Sequence, residues 1–101
     1  ASRNVDVGAT LATSVGGAES RSVGKGRSTQ VGDGDTLSVG KALSITAGDS
    51  ITLVTGSASI TMKKDGTVVI KGKDILVSGS GKITVKASSD VVVKGSKVGI
   101  N

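Results

Sequence analysis

The sequence has no cysteine, no histidine, no proline and no aromatic residue among its 101 positions. The absence of cysteine excludes a disulfide framework within this chain. The joint absence of cysteine and histidine excludes the usual zinc sites, thiol nucleophiles and histidine general bases. Aromatic rings normally supply the largest pieces of buried area in a core. A single copy built on valine, isoleucine, leucine and alanine is therefore expected to bury little of its own surface.

Long hydrophobic runs are absent as well, since no apolar stretch approaches the ~20 residues of a membrane-spanning helix. What the sequence has instead is a repeat of eight residues. Glycine occupies seven consecutive multiples of eight and returns at position 72, as Gly8, Gly16, Gly24, Gly32, Gly40, Gly48, Gly56 and Gly72. Beyond Gly56, glycine no longer occupies every eighth position, but pairs of aliphatic residues continue at the same mean spacing of eight.

The aliphatic residues of each repeat alternate with polar ones, as in SITL at 50–53 and KITV at 82–85. A period of two that is rich in β-branched residues predicts a strand with one face inward. The recurring glycine predicts a corner after each strand. The inward positions are predicted to be buried aliphatic residues: Ile51, Leu53, Ile60, Val68, Ile75, Val77, Ile83, Val85, Val91 and Val93.

Eight residues span at most ~26 Å, which is one side of a prism with one corner, so a closed cross-section needs about three sides. Either one chain coils around all sides, or three chains each contribute one side in turn, and the period alone fits both. One chain would leave sheet edges open at both ends of a thin core. We therefore predict an all-β, triple-stranded β-helix made by an intertwined homotrimer, as one domain over 1–101 with regular octads over 1–56.

The octads from Val7 to Gly40, followed by SITMKKDG, IKGKDI and GSKVGIN, closely resemble the C-terminal spike of VgrG proteins of the type VI secretion system. The resemblance covers essentially the whole chain, and those three segments are its most specific part. Related spikes occur in contractile phage tails as cell-puncturing needles. The large base domains that precede the spike in this family are not part of these 101 residues. The similarity therefore concerns the needle alone.

The resemblance implies a membrane-piercing spike without enzymatic activity or cofactor, assembled in the cytoplasm and delivered by the type VI apparatus out of the cell or into a target cell. It also implies that a PAAR-repeat protein caps the tip and that effectors travel with the spike. On this view residues 57–101 form the C-terminal spike and tip. The partner-binding residues are then Lys97, Val98, Gly99, Ile100 and Asn101. No residue is expected to be catalytic, and any zinc would belong to the cap.

Two other functional classes compete with this interpretation. A single-chain β-helical acyltransferase would need a six-residue frame and usually a histidine base, and the sequence has neither. A passive trimeric fibre or adhesin stalk, without a cap-binding role, remains the alternative.

Two segments leave a structural choice open. KKDG at 63–66 is a turn signal that fits a hairpin, but the preserved spacing of eight between Ile60 and Val68 favours an enlarged corner. Between 17 and 36, charged residues stand where later octads carry aliphatic ones. Either these strands are exposed, or the axis is polar and holds water or ions between Glu19 and Asp35.

The net charge of +5 lies entirely in the second half of the chain. Residues 1–50 carry five basic and five acidic side chains, whereas residues 51–101 carry eight lysines against three aspartates. Exposed lysines protect strand edges and keep a fibrous surface soluble, which is the favoured interpretation. A transient contact with an anionic target membrane is a lesser expectation. Nucleic-acid binding is not expected, because no aromatic side chain is present to stack on bases.

Overall fold

The computed structural model describes residues 4–101, and it contains no helix among them. Three strands make up its regular structure: β1 (Ser50–Thr55), β2 (Ala58–Lys63) and β3 (Val68–Lys71). They form one antiparallel sheet in the order β1-β2-β3, which we call the meander. The predicted all-β class is confirmed for these residues. The first three residues of the predicted domain bounds lie outside the described part.

The chain divides into two units, one that ends at Lys41 and a second, Ala42–Asn101. The second unit contains the whole meander, and the described residues of the first contain no strand. The octads up to Lys41 therefore form no ladder among their described residues within one chain. The strand predicted in every octad would pair with strands of neighbouring chains, so it stays a prediction. A short segment is hydrogen-bonded as a strand only where a partner segment lies beside it.

The first turn of the meander is a two-residue connection through Gly56 and Ser57, because Thr55 pairs directly with Ala58. Gly56 has a φ of +55°, and no non-glycine residue of the described chain has a positive φ. A glycine with positive φ followed by a residue with negative φ is the pattern of a type II′ turn. This turn matches the twist of the two strands that it joins. The chain consequently reverses at Gly56 instead of turning a corner.

The second turn corrects the interpretation of 63–66 as a corner. Met62 pairs with Val68 in antiparallel register, so the chain makes a hairpin. The Gly66 N–H donates to the Lys63 carbonyl oxygen at 3.1 Å, and the Lys63 N–H donates to the Thr67 carbonyl oxygen at 2.9 Å. Gly66 has a φ of +95°. This is a three-residue hairpin loop, a type I turn followed by a left-handed glycine. The spacing of eight between Ile60 and Val68 is compatible with both folds and could not separate them.

The single chain has no hydrophobic core among its described residues, because none of them is buried. Four residues of the meander are half-buried, namely Ile51, Ser59, Thr61 and Val69. This confirms the expectation that one copy buries little of its own surface. The aliphatic side chains predicted to face a central axis are exposed in one chain or, for Ile51, half-buried. Their burial in an assembly of three chains stays a prediction.

Candidate functional site

The register of the meander gathers six aliphatic side chains on one face of the sheet. Residues paired directly across an antiparallel sheet point to the same face, as do alternate residues along each strand. The six form two rows across the three strands: Ile51, Met62 and Val68 in one row, and Leu53, Ile60 and Ile70 in the other. We call these six side chains the apolar face.

The apolar face is uncovered in the single chain. On the central strand Ile60 and Met62 are 43% and 45% exposed, and on the outer strand Leu53 is 63% exposed. Ile51, on the same outer strand as Leu53, is half-buried, and the other five side chains of the face are exposed. Single apolar residues scattered over a surface are normal, but contiguous exposed patches mark interaction sites. The apolar face is therefore the candidate interaction surface of the meander.

The opposite face of the sheet carries hydroxyl and basic side chains, with two valines among them. Its members are Ser50, Thr52, Val54, Ser59, Thr61, Lys63, Val69 and Lys71. Both strand lysines of the meander lie on this polar face. The meander is thus amphipathic, with its strand charges on the side away from the aliphatic rows.

Two shallow grooves border the meander. One has a volume of about 410 Å³ and lies near the first turn, where Leu53, Ile60 and Ile70 contribute to its lining. The other has a volume of about 520 Å³ and lies where Lys71 is followed by Lys73 and Ile75. The first groove has a mainly aliphatic lining, whereas the second has two lysines beside Ile70 and Ile75; neither lining contains an acidic side chain. They suit contact with another surface better than the binding of a small polar ligand.

Polar contacts link the chain before β1 to the chain after β2, at the end of the meander that is opposite to the first turn. The Lys64 N–H donates to the Asp49 carbonyl oxygen at 2.9 Å, which extends the pairing of β1 and β2 by one residue. The Lys64 Nζ lies 3.5 Å from the Asp49 Oδ1, and both side chains are exposed. Such an exposed ion pair contributes little to stability. The backbone bond, and not the ion pair, therefore holds this end together.

The carboxyl group of Asp65 stabilises the second turn. The Thr67 N–H donates to Asp65 Oδ1 at 3.0 Å. Because this hydrogen bond favours the ionised carboxylate, it lowers the pKa of Asp65 from its usual value. The ionised carboxylate of Asp65 therefore favours the hairpin conformation of the second turn.

The predicted tip residues form no strand in the single chain. Residues 97–101 are all exposed, with Val98 at 53% and Ile100 at 91%. Ile100 has the highest exposed fraction among the large aliphatic side chains of the described residues. The backbone of this segment is thus free to pair with another chain, but its role as a docking site stays a prediction.

The segment predicted to have either exposed charges or a polar axis is fully exposed in one chain. Arg21 Nη2 donates to Glu19 Oε1 at 3.4 Å, and both side chains are more than half exposed. Within residues 4–101, no group of three or more acidic side chains is placed to hold a metal ion. The part of the chain described here also has no helix that is long and apolar enough to cross a membrane.

The geometry on its own describes an amphipathic sheet between repetitive segments, and this architecture does not specify a family. No family model matches the chain. A search of the curated proteins gives no match either. The likeness to a VgrG spike therefore depends on the octads and on SITMKKDG, IKGKDI and GSKVGIN. What that likeness implies about function is a proposal.

The aliphatic pairs that sequence reasoning placed on the inward face, Ile51/Leu53, Ile60/Met62 and Val68/Ile70, are the six residues of the apolar face. Sequence reasoning missed the first turn, because Gly56 was interpreted as one more corner of the repeat. A usable signal was present in the sequence: Gly-Ser at 56–57 stands between two alternating runs, SITLVT and ASITMK. A glycine followed by serine at that position is typical of a type II′ hairpin.

Proposed function

We propose that this chain is the non-enzymatic spike of a contractile injection machine of the type VI class, and that it works as an intertwined homotrimer. The observation that carries the proposal is the uncovered aliphatic repeat. Large aliphatic side chains recur along residues 4–101 and none of them is buried. A chain of this kind reaches a stable fold only by covering those side chains with another chain. Three copies, each contributing one side of a prism, would do so while leaving the lysines outside.

The proposed mechanism is mechanical. In a triple-stranded β-helix the hydrogen bonds between strands link different chains around a closed cross-section. An axial force is then shared by many such bonds, and no chain can separate without unwinding from the other two. Closure also removes the sheet edges that promote aggregation. No residue of this chain needs a catalytic role in that function, and no cofactor takes part in it.

The proposed docking site is the segment 97–101. Three copies of Val98 and Ile100 would form a small apolar platform, and the backbone groups around it would be open to strand addition. A threefold-symmetric PAAR-repeat protein would cover that platform and continue the strands. Effectors would travel with this assembly out of the cell or into a target cell, with only a transient contact at the target membrane.

The homotrimer is tested by light scattering on the purified chain. We expect a solution mass of three chains across a tenfold range of concentration, because residues 4–101 of one chain form no core. A folded, monodisperse monomer would contradict both the proposed fold and the proposed function.

The docking role is tested by capture of a purified PAAR-repeat protein on the immobilised chain. A version without residues 97–101 should remain trimeric and lose capture. Val98→Asp should have the same effect, whereas Ser96→Asp should retain capture, because Ser96 lies outside the predicted platform. A trimer that captures equally well without 97–101 places the binding surface elsewhere. A trimer that captures no PAAR-repeat protein in any version supports the passive stalk instead.

A further inference from the structure

We propose that the three chains are not intertwined over residues 50–71: each copy folds its own meander, and the three apolar faces pack against one another. This inference rests on the proposed homotrimer. It differs from that proposal in one segment, where the chains lie side by side and are not intertwined. It assigns the apolar face to contacts between copies of this chain. It also assigns the hydrogen bonds of the meander to contacts within each copy.

The first support is the pairing itself. Every strand of the meander finds its hydrogen-bonding partner in the same chain, through two tight turns. The turns have the glycine conformations that such hairpins require, at Gly56 and at Gly66. An intertwined β-helix would instead need the chain to continue around the axis at both glycines. Since the backbone reverses at each of them, strands of this segment cannot also pass in turn from one chain to the next.

The second support is the distribution of charge. Each copy has a net charge of +5, so close approach of copies is opposed wherever lysines meet. Lys63 and Lys71 lie on the polar face, so copies that meet through their apolar faces keep these lysines apart.

The third support is the area that a stable contact needs. Six partly exposed aliphatic side chains offer on the order of 500 Å², whereas a stable interface covers about 800 Å² on each partner. The apolar face is thus too small to hold a foreign partner by itself. A copy of the same chain in parallel register also covers the exposed aliphatic pairs before and after the meander, such as Leu43/Ile45 and Ile75/Val77. Identical chains therefore extend the contact along their length, which a foreign protein would not do.

The pairing is tested by a disulfide across β1 and β2, with cysteines at Thr52→Cys and Thr61→Cys. The natural chain has no cysteine, so no other thiol competes. Asp49 and Lys64 form a hydrogen-bonded pair, and the alternation of the ladder makes Thr52 and Thr61 a non-hydrogen-bonded pair. Their Cα atoms are then about 4.5 Å apart, which a disulfide spans. Both side chains lie on the polar face, so the apolar face is unaltered.

After oxidation and denaturation in detergent, the double variant should migrate as a single chain with a complete internal disulfide. The single variant Thr52→Cys is the control for random cross-linking. Covalent dimers or higher species in the double variant, from a protein that is trimeric before oxidation, would overturn the inference and leave the proposed function intact. A protein that is monomeric before oxidation would overturn both.

The contact between faces is tested by Ile60→Asp and its neighbour Ser59→Asp, which lies on the opposite face of the same strand. Ile60→Asp should lose the trimer at concentrations where Ser59→Asp and the natural chain keep it. The internal disulfide should still form in Ile60→Asp, which separates loss of assembly from loss of the meander. Equal trimer content in the two variants would overturn the packing of the apolar faces.

Discussion

Gly66→Ala is expected to destabilise the protein through backbone strain alone. Gly66 has a φ of +95°, which L-residues with a side chain rarely adopt. A Cβ at this position would have no heavy atom within 4 Å, so it meets no steric clash. The cost is then that of the left-handed conformation, about 1–2 kcal/mol per chain. In a homotrimer three copies carry the same strain, so the assembly would lose roughly three times as much.

The matched control is Gly48→Ala. Gly48 has no positive φ, and a Cβ there also has no heavy atom within 4 Å. Alanine should therefore be neutral, or stabilising by about 0.4–1 kcal/mol, because it restricts the unfolded chain. Gly66→Asn should lie between the two, since asparagine tolerates the left-handed region better than alanine does. The assay is the urea midpoint of the assembled protein at fixed concentration. If Gly66→Ala unfolds at the same urea concentration as Gly48→Ala, the second turn does not have the conformation described here.

Two further predictions concern pH and the orientation of the repeats. The hydrogen bond from Thr67 lowers the pKa of Asp65 in the folded chain, so its contribution to stability is present above the ordinary value of 3.8 and is lost as the pH falls through the lower folded value. The amide resonance of Thr67 should shift in that acidic range and stay flat in Asp65→Asn; a flat response in the natural chain would contradict the contact. In the later octads, Ile83→Asp should prevent assembly by placing three unpaired charges in one layer, at a cost of several kcal/mol. Lys82→Asp should assemble normally in the same light-scattering assay, and the reverse result would mean that the two faces are exchanged.

The local pattern of the sequence predicted which residues share a face of the meander. It did not predict which strands pair or in which direction. Alternation in SITL and SITM was sufficient to place Ile51, Leu53 and Ile60 on one face, because a strand has a period of two whatever its partner is. That pattern did not indicate whether a neighbouring strand is parallel or antiparallel. A parallel neighbour in another chain and an antiparallel neighbour in the same chain both keep alternate residues on one side.

The two turns show why the octad was misleading in this segment. A repeat of eight residues is long enough for one side and a corner, and also for a strand of six residues with a two-residue reversal. Gly56 fits either role, since a corner and a type II′ turn both use a positive φ. The two roles are distinguished by Ser57, which follows the glycine, and by the runs of alternating residues on both sides of the turn. At the second turn KKDG was recognised as a hairpin signal, and the regular spacing was given more weight than the turn chemistry.

The meander also bears on how repetitive chains find their alignment. Octads of similar pattern would let two copies slide past each other by eight residues with the loss of only one repeat, much as flat and regular strands slip in register. The described residues contain one meander, and its shape has no equivalent among the octads. Its contacts are local in sequence, so it forms early compared with pairing between distant segments. In the proposed homotrimer, three chains that fit their meanders together would have only one way to align, and the segment would then fix the register of the whole fibre.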